Sequence, residues 1–247
     1  MDGSGSQGTW VNYPEEPVMA TIAFDVYGTL IDTDGMVSQL HEWVGSRAET
    51  FSKTWRSKQL EYSFRRGLMR QYENFAVCTR QALEYCCAEY DVSLSSEQKD
   101  ILLQSYRCLP AFADVEESLV ALKAEGHLLF AFSNGSAEAV EEVLQTNGLR
   151  QCFEDVVSCD VLKTFKPNPD VYQYFMREAG EAKDAWLVSG NPFDVIGAVS
   201  AGMKSAWVKR SDRLVFDPLG IEPTLTVAAL SELCEKLDIN KPKRTYE

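Results

Sequence analysis

The sequence is poor in positive charge and contains no long apolar run. It carries 24 Lys and Arg against 37 Asp and Glu, which gives a formal net charge of -13 at pH 7. A chain this acidic has no overall positive field to attract nucleic acid or an anionic membrane surface. No apolar run approaches the ~18 residues that a membrane-spanning helix needs. We therefore expect no nucleic acid and no membrane among its partners.

Two further absences concern catalysis and redox state. The chain has only two histidines, His41 and His127, and no G-x-S-x-G motif, which disfavours a serine hydrolase. Its seven cysteines include no C-x-x-C pair, and the sequence shows no signal peptide. This usage is typical of reduced thiols in the cytoplasm. We predict a cytoplasmic protein whose cysteines fill the core.

What the sequence does contain is an alternation of strand-like and helix-like segments. The strand-like segments are continuous apolar runs, the pattern of strands buried on both faces of a parallel sheet. Predicted strands cover residues 19–25, 127–133, 155–158, 185–190 and 204–209, and predicted helices cover 114–125, 136–146, 169–179 and 192–201. Such alternation predicts an α/β fold with a doubly wound parallel sheet.

One region interrupts the alternation. Residues 32–112 contain no convincing strand and only segments of helical period, which predicts an α-helical cap inserted after the first strand. The core domain would then comprise residues 18–31 and 113–240. Residues 1–17, rich in Gly and Ser and then in Pro, are expected to form a flexible leader, and residues 241–247 a tail.

The end of the first strand points to chemistry. In IAFDVYGTLID, Asp25 ends an apolar strand, where an unpaired charge is costly. Taken alone, such an aspartate is more often a helix cap or a turn former. Ligands of open α/β sheets, however, bind at the carboxyl ends of the strands. At or shortly after the predicted strand ends stand further polar residues: Thr29, Ser133, Asn134, Lys166, Tyr172, Ser189, Asn191 and Asp194.

The stretches FDVYGTL and SNGS, the lysine of FKPNP and the aspartate of SGNPFD resemble, in order and spacing, the four motifs of the haloacid dehalogenase superfamily. WRSKQLEYSFRRGLMRQYENF is similar to the cap of the L-2-haloacid dehalogenases. The resemblance covers the chain from Met19 to about Leu237. It implies a Rossmann-like core with a helical cap. It also implies hydrolysis of short-chain 2-haloalkanoic acids, L enantiomers and haloacetates, to 2-hydroxy acids with inversion.

One departure from the wider superfamily concerns metal. The phosphatases of this superfamily carry a second aspartate two residues after the nucleophile, and they hold Mg²⁺ between acids of the first and fourth motifs. Here Tyr27 takes the second position, and the fourth motif offers Asp194 as its one acid. A hard cation that prefers oxygen ligands would find few carboxylates. We therefore expect no metal and no other cofactor.

The resemblance implies a role for each residue. Asp25 would be the nucleophile that forms an aspartyl ester, and Lys166 would keep it ionised. Arg56 and Asn134 would receive the halide beside Phe75, and the substrate carboxylate would rest on Ser133, backbone amides and Lys166. The residues that orient Asp25, Lys166 and the hydrolytic water would be Thr29, Tyr172, Ser189, Asn191 and Asp194. The apolar wall of the pocket would consist of Tyr27, Leu60, Phe75 and Phe193. Without the resemblance, Arg56 is a surface charge and Leu60 and Phe75 are cap core.

Several alternatives stay open. A defluorinating haloacetate dehalogenase or an azetidine-2-carboxylate hydrolase would share every motif. A Mg²⁺-dependent phosphatase is disfavoured by Tyr27, and a non-catalytic binding protein by the full set of polar groups. Ser57 and Phe193 stand where relatives commonly have Gln and Trp, which leaves chain length and halide preference undetermined. Relatives often dimerise, so the resemblance suggests a homodimer.

Overall fold

The computed structural model describes residues 19–182 and 184–239. Within them, six strands form one parallel sheet in the order β3-β2-β1-β4-β5-β6. The strands are β1 (Thr21–Asp25), β2 (Leu128–Ser133), β3 (Asp155–Ser158), β4 (Ala185–Ser189), β5 (Lys204–Val208) and β6 (Leu225–Val227). The predicted doubly wound parallel sheet is confirmed. β6, three residues in a loop-rich stretch, was too short to be predicted from its pattern.

The helices alternate with the strands from β2 to β5. In chain order the described helices are α1 (Val37–Val44), α2 (Ala48–Met69), α3 (Phe75–Glu89), α4 (Ser96–Ser105), α5 (Val115–Ala124), α6 (Ala137–Thr146), α7 (Pro169–Glu178), α8 (Pro192–Ser200) and α9 (Leu233–Ile239). Four of them match the predicted core helices within a residue at each end, whereas α9 is not among the predictions.

Capping side chains and prolines set where the helices that follow the strands begin. Ser136 caps α6 by accepting a hydrogen bond from the Ala139 amide, and Asn168 caps α7 in the same way through Asp170. Proline occupies the first turn of α7 and of α8, where its missing N–H costs nothing. These starts hold the short loops after the strands at one edge of the sheet.

β1 lies at the centre of the sheet between β2 and β4. Its apolar residues Ile22, Ala23 and Phe24 are fully buried. The parallel register sets Asp25 beside Phe132 on β2 and Phe24 beside Val188 on β4. The ends of these three strands therefore meet at the same edge.

The segment between β1 and α5 forms the helical insert. α1 to α4 lie in it, and no named strand of the described residues does, which confirms the predicted helical cap. The boundaries at residues 32 and 112 stay a prediction. The chain enters and leaves the insert side by side, because Ile31 forms an antiparallel bridge with Ala111 and Phe112 N donates to Leu30 O over 2.9 Å.

Arg210, just after β5, contacts both crossings between core and insert. Its Nη2 donates to Thr29 O at 2.6 Å, and its Nη1 lies 2.7 Å and 2.8 Å from the two carboxylate oxygens of Asp114. Its guanidinium carbon lies 4.2 Å from the centroid of the Phe112 ring. One side chain of the core thus holds the segments that lead into and out of the cap.

Aromatic contacts seat the cap on the core. Phe64 of α2 meets Phe193 of α8 with ring centroids 5.0 Å apart. Tyr72, between α2 and α3, stacks on Phe165 at 5.0 Å and donates a hydrogen bond to Asp160. The cap therefore touches the loops after β3 and β4, beside the strand ends.

Three predictions about the whole chain have different outcomes. Five of the seven cysteines are buried, but Cys108 is exposed in the connection between α4 and α5, so the expectation that all fill the core is wrong there. Among the described residues, no helix combines the length and apolarity needed to span a bilayer. The predicted leader, residues 1–17, and the tail, residues 241–247, lie outside the described residues.

Candidate active site

The carboxylate of Asp25 stands at the centre of a hydrogen-bonded cluster. Its Oδ2 accepts from Thr29 Oγ1 at 2.7 Å, Asn191 Nδ2 at 2.7 Å and Ser189 Oγ at 3.2 Å. Oδ1 accepts from Lys166 Nζ at 3.2 Å. Asp25 is 8% exposed. One oxygen is thus held by three donors, while the other is held by one.

Two glycines let the donors approach. Gly28 has φ +85°, a left-handed conformation that glycine adopts without strain, and this turn brings Thr29 back to Asp25. A Cβ on Gly190 would lie 2.3 Å from Gly28 O, so only glycine fits there. The loops after β1 and β4 therefore close on each other, and Gly190 N donates to Thr29 Oγ1 at 2.8 Å.

Lys166 lies buried behind the carboxylate. Its Nζ donates to Asp25 Oδ1 at 3.2 Å, Asp194 Oδ2 at 2.8 Å and Phe132 O at 2.8 Å. Burial alone lowers the pKa of Lys166, but the carboxylates of Asp194 and Asp25 outweigh it and raise the pKa. Because all three ammonium hydrogens are used, this geometry argues against direct contact between Lys166 and a substrate carboxylate.

Asp194 and Tyr172 hold Lys166 in place through consecutive hydrogen bonds. Tyr172 donates its phenol hydrogen to Asp194 Oδ1 at 2.8 Å. Burial raises the pKa of Asp194 to about 6, against the opposing pull of Lys166, and burial also raises the pKa of Tyr172 well above its usual range. Gly197 gives this phenol its space, since a Cβ there would lie 2.4 Å from the Tyr172 oxygen.

Ser133 ends β2, and Asn134 begins the loop that leads to α6. Asn134 Oδ1 accepts from the backbone N of Lys166 at 2.8 Å, which turns the amide NH₂ to the other side. Ser133 Oγ accepts from Gly135 N at 3.1 Å. Both side chains are buried. This loop offers donors close to Lys166, as a site for an anion needs.

Arg56 reaches the cluster from the cap. It lies on α2 and donates through Nη2 to Tyr27 O at 3.2 Å. The same carbonyl oxygen accepts from Asn191 Nδ2 at 3.1 Å, and that nitrogen also donates to Asp25. The structure therefore brings the cap arginine to the core cluster instead of leaving it on the surface.

Only two of the four residues predicted to form the apolar wall line the same cavity. Tyr27 and Phe75 line a cavity of about 820 Å³ between α3, α4 and α6, which Leu60 and Phe193 do not line. Phe193 packs against Phe64, and Leu60 is half-buried on α2. Burial, with Tyr106 next, raises the pKa of Tyr27 to about 12, so the phenol stays neutral. Ser57, which departs from the relatives, is exposed.

Three neighbours of the site, Gln59, Thr79 and Tyr106, were not predicted from the sequence. Gln59 is fully buried and donates through Nε2 to Thr79 Oγ1 at 2.8 Å. The Tyr106 ring lies 6.3 Å from Tyr27 and 5.1 Å from Trp55, centroid to centroid. In the sequence, the one signal was that Gln59 stands three residues after Arg56, on the same helix face.

The donor set is a poor fit for a metal ion. Asp25 and Asp194 each direct an oxygen at the Lys166 ammonium, and that cation takes the place between the carboxylates. Over residues 19–182 and 184–239, no group of three or more His, Cys, Asp or Glu residues is arranged to hold a metal. The expectation of a metal-free site rests on this chemistry and stays a prediction.

Comparison with known proteins agrees with the geometry. The family model of haloacid dehalogenase-like hydrolases matches residues 19–202. The chain belongs to this family. The family assignment covers β1 to β4 and the cap, and therefore every residue of the cluster around Asp25.

Individual relatives are similar over most of their length. The (S)-2-haloacid dehalogenase of Pseudomonas sp. strain YL is 35% identical over 215 residues, which are 87% of this chain and 92% of the relative. Haloacetate dehalogenase H-2 of Moraxella sp. strain B is 35% identical over 86% of this chain and 95% of its own length. The structure of L-2-haloacid dehalogenase from Xanthobacter autotrophicus with chloropropionic acid covalently bound superposes with a TM-score of 0.82. It is 27% identical and covers 91% of this chain and all of that one.

Proposed function

We propose that this protein hydrolyses short-chain 2-haloalkanoic acids, L enantiomers and haloacetates, to 2-hydroxy acids with inversion and without a metal. The observation that carries the proposal is the asymmetric binding of Asp25, with three donors on Oδ2 and only Lys166 on Oδ1. The relatives named for haloacid and haloacetate dehalogenation support the substrate class.

In the first step, Asp25 Oδ1 is the attacking oxygen, since it is the less committed of the two. It forms a bond to C2 of the substrate from the side opposite the halogen, the C2–halogen bond breaks, and halide leaves with the electron pair. Lys166 stays near the new ester. The bound chloropropionic acid of the Xanthobacter structure supports a covalent intermediate of this kind.

In the second step, water attacks the carboxyl carbon of the ester. Negative charge then develops on Oδ2, which already faces Thr29, Ser189 and Asn191. Preorganised donors of this kind stabilise the transition state without rearrangement. The bond from the carboxyl carbon to Oδ1 breaks, and the 2-hydroxy acid leaves with that oxygen. One water proton goes to the leaving oxygen, the other is lost to solvent as Asp25 returns to a carboxylate, and the water oxygen stays on Asp25.

Two groups of donors would bind two different parts of the substrate, the departing halide and the carboxylate. Arg56 and the free side of the Asn134 amide would receive the halide, because charge-assisted donors stabilise an anion as it forms. Ser133 and the first amides of α6 would hold the substrate carboxylate at a helix N-terminus. Lys166, with its hydrogens committed, would act on Asp25 alone. Tyr27 and Phe75 would close the apolar side.

The remaining alternatives separate by substrate. A phosphatase needs acids where this site has Tyr27 in the first motif and Ser189 and Asn191 in the fourth, so it is the weaker candidate. A defluorinating haloacetate dehalogenase and an azetidine-2-carboxylate hydrolase would use the same cluster and stay alternatives to the proposal. A cytoplasmic location and a homodimer are part of the proposal as well, supported by the thiol usage and by the likeness to the relatives.

The test is halide release from enzyme treated with a chelator. We expect release from chloroacetate and from one enantiomer of 2-chloropropionate, with fluoroacetate reporting whether the site also breaks the stronger bond. One turnover in ¹⁸O-labelled water should leave the label in Asp25. Label that goes only to the product, or no release from any haloacid, would overturn the proposal.

A further inference from the structure

Gln59 is a fully buried amide one helical turn from Arg56 on α2. Its Oε1 accepts from Arg56 Nη1 at 2.8 Å. The second guanidinium nitrogen, Nη2, donates to Tyr27 O at 3.2 Å. The guanidinium is therefore held at two points, one on the cap and one on the core.

The other end of the amide is fixed by a chain of hydrogen bonds into α3. Gln59 Nε2 donates to Thr79 Oγ1 at 2.8 Å, and the Thr79 hydroxyl donates to Phe75 O at 2.9 Å. Because that hydroxyl has given its one hydrogen away, it can only accept from Gln59. A flipped amide would point its NH₂ at the Arg56 donors, so the carbonyl oxygen has to face the arginine.

Both acceptors of Arg56 are neutral. Arg65, Arg80 and Arg107 of the same insert instead pair with Glu61, Asp100 and Glu142. Arg66, which is on α2 as well, donates to Gln71 O and Gln81 Oε1, but of these two it is Arg56 whose guanidinium also contacts the core, through Tyr27 O. A carboxylate beside Arg56 would cancel much of its field, whereas an amide oxygen orients the group and leaves its charge available. That combination suits a guanidinium that must attract a second anion.

We infer that Gln59 is a positioning residue, with Thr79 behind it, that aims the charged Arg56 at the departing halide. The inference rests on the proposed function, in which Arg56 receives the halide. Gln59 would act on the reaction through Arg56, while its amide also makes a hydrogen bond to the Tyr106 side chain. Its effect should therefore be confined to the step that breaks the carbon–halogen bond.

The experiment measures the two chemical steps separately in Gln59→Met, whose side chain has similar length and no hydrogen-bonding amide. Single-turnover halide release should slow by about 10- to 100-fold, less than the ~10²–10³ for losing a direct donor at a developing charge, because Arg56 itself remains. The loss should be larger for chloroacetate than for iodoacetate, because the poorer leaving group depends more on donors. Hydrolysis of the aspartyl ester, followed by mass spectrometry after quenching, should stay unchanged.

Two further variants separate positioning from packing. Thr79→Val keeps the shape but removes the acceptor that fixes the amide, and we expect a smaller loss with the same dependence on the halogen. Gln59→Glu should also slow halide release, because a carboxylate there neutralises Arg56. Gln145→Met makes the same replacement at an exposed position of α6 and should leave both steps unchanged.

The outcomes distinguish this inference from the function on which it rests. If the unaltered protein releases no halide, the proposed function fails. A second outcome is that the unaltered protein releases halide while Gln59→Met slows chloride and iodide release equally, or slows ester hydrolysis as much as halide release. In that case Gln59 merely supports the fold and the inference is wrong. Wild-type rates in Gln59→Glu would likewise overturn it.

Discussion

The two walls of the site are built differently. The core wall consists of polar side chains at the ends of buried strands and in the segments that follow them, and Asp25, Ser189, Lys166 and Asp194 are all at least nine-tenths buried. The cap wall consists of side chains on helices, and Arg56, Leu60 and Phe75 are only half-buried. We infer that the core carries the nucleophile and the hydrolysis of the ester, whereas the cap supplies the arginine for the halide and the apolar side of the pocket, so changes to the two walls should have different kinetic effects.

The largest effect is expected from Asp25→Asn on the core wall. An amide cannot form the ester at a useful rate, so kcat should fall by at least about 10⁴-fold, as for other lost nucleophiles. Halide release in single-turnover mode measures it, and the thermal unfolding temperature serves as the control for folding. Activity within 100-fold of wild type would show that another group starts the reaction.

Asp194→Asn tests the electrostatics of the core wall through pH. The folded protein holds the Asp194 proton more tightly than the unfolded chain, since burial raises the pKa from its ordinary 3.8 to about 6. The stability of wild type relative to the variant should therefore fall as pH rises from about 4 to about 6. Urea unfolding across this range measures it. A difference that is flat with pH contradicts the burial argument.

Gly197→Ala tests how closely the core wall is packed. The new Cβ would lie 2.4 Å from the Tyr172 oxygen and 2.7 Å from Pro167 Cβ, so the support of Asp194 and the lysine loop must shift. We expect kcat to fall by about tenfold with KM nearly unchanged, because small displacements of catalytic groups are costly. Gly67→Ala, where the nearest atom lies at 3.5 Å, is the matched control and should behave like wild type.

Phe75→Leu on the cap wall should have the smallest effect. Phe75 lines the cavity and contacts Phe165 with ring centroids 6.2 Å apart, and losing an aromatic contact costs about 1 kcal/mol. KM for chloropropionate should rise about fivefold, and kcat should stay within about twofold. A fall in kcat as large as that of Gly197→Ala would remove the distinction between the two walls.

The core wall was more predictable from the sequence than the cap wall. Asp25, Lys166 and Asp194 follow strands whose apolar runs are visible, and parallel strands bring their ends together without further information. Leu60 and Gln59 are neighbours on α2, but which of them faces the site depends on how α2 packs against α3. That packing sets Gln59 against Thr79, twenty residues away, and no local pattern encodes it. The short β6 and the terminal α9 escaped prediction for lack of a periodic pattern.

The clamp formed by Arg210 has a consequence for protein engineering. It grips Thr29 by a backbone oxygen and Asp114 by a carboxylate, and both lie outside the helices of the cap. A foreign helical insert joined at residues 32 and 110 would meet the same anchor and the same paired ends, whatever its own sequence. The core can thus serve as a constant scaffold onto which different caps are exchanged and then screened for activity on new haloacids.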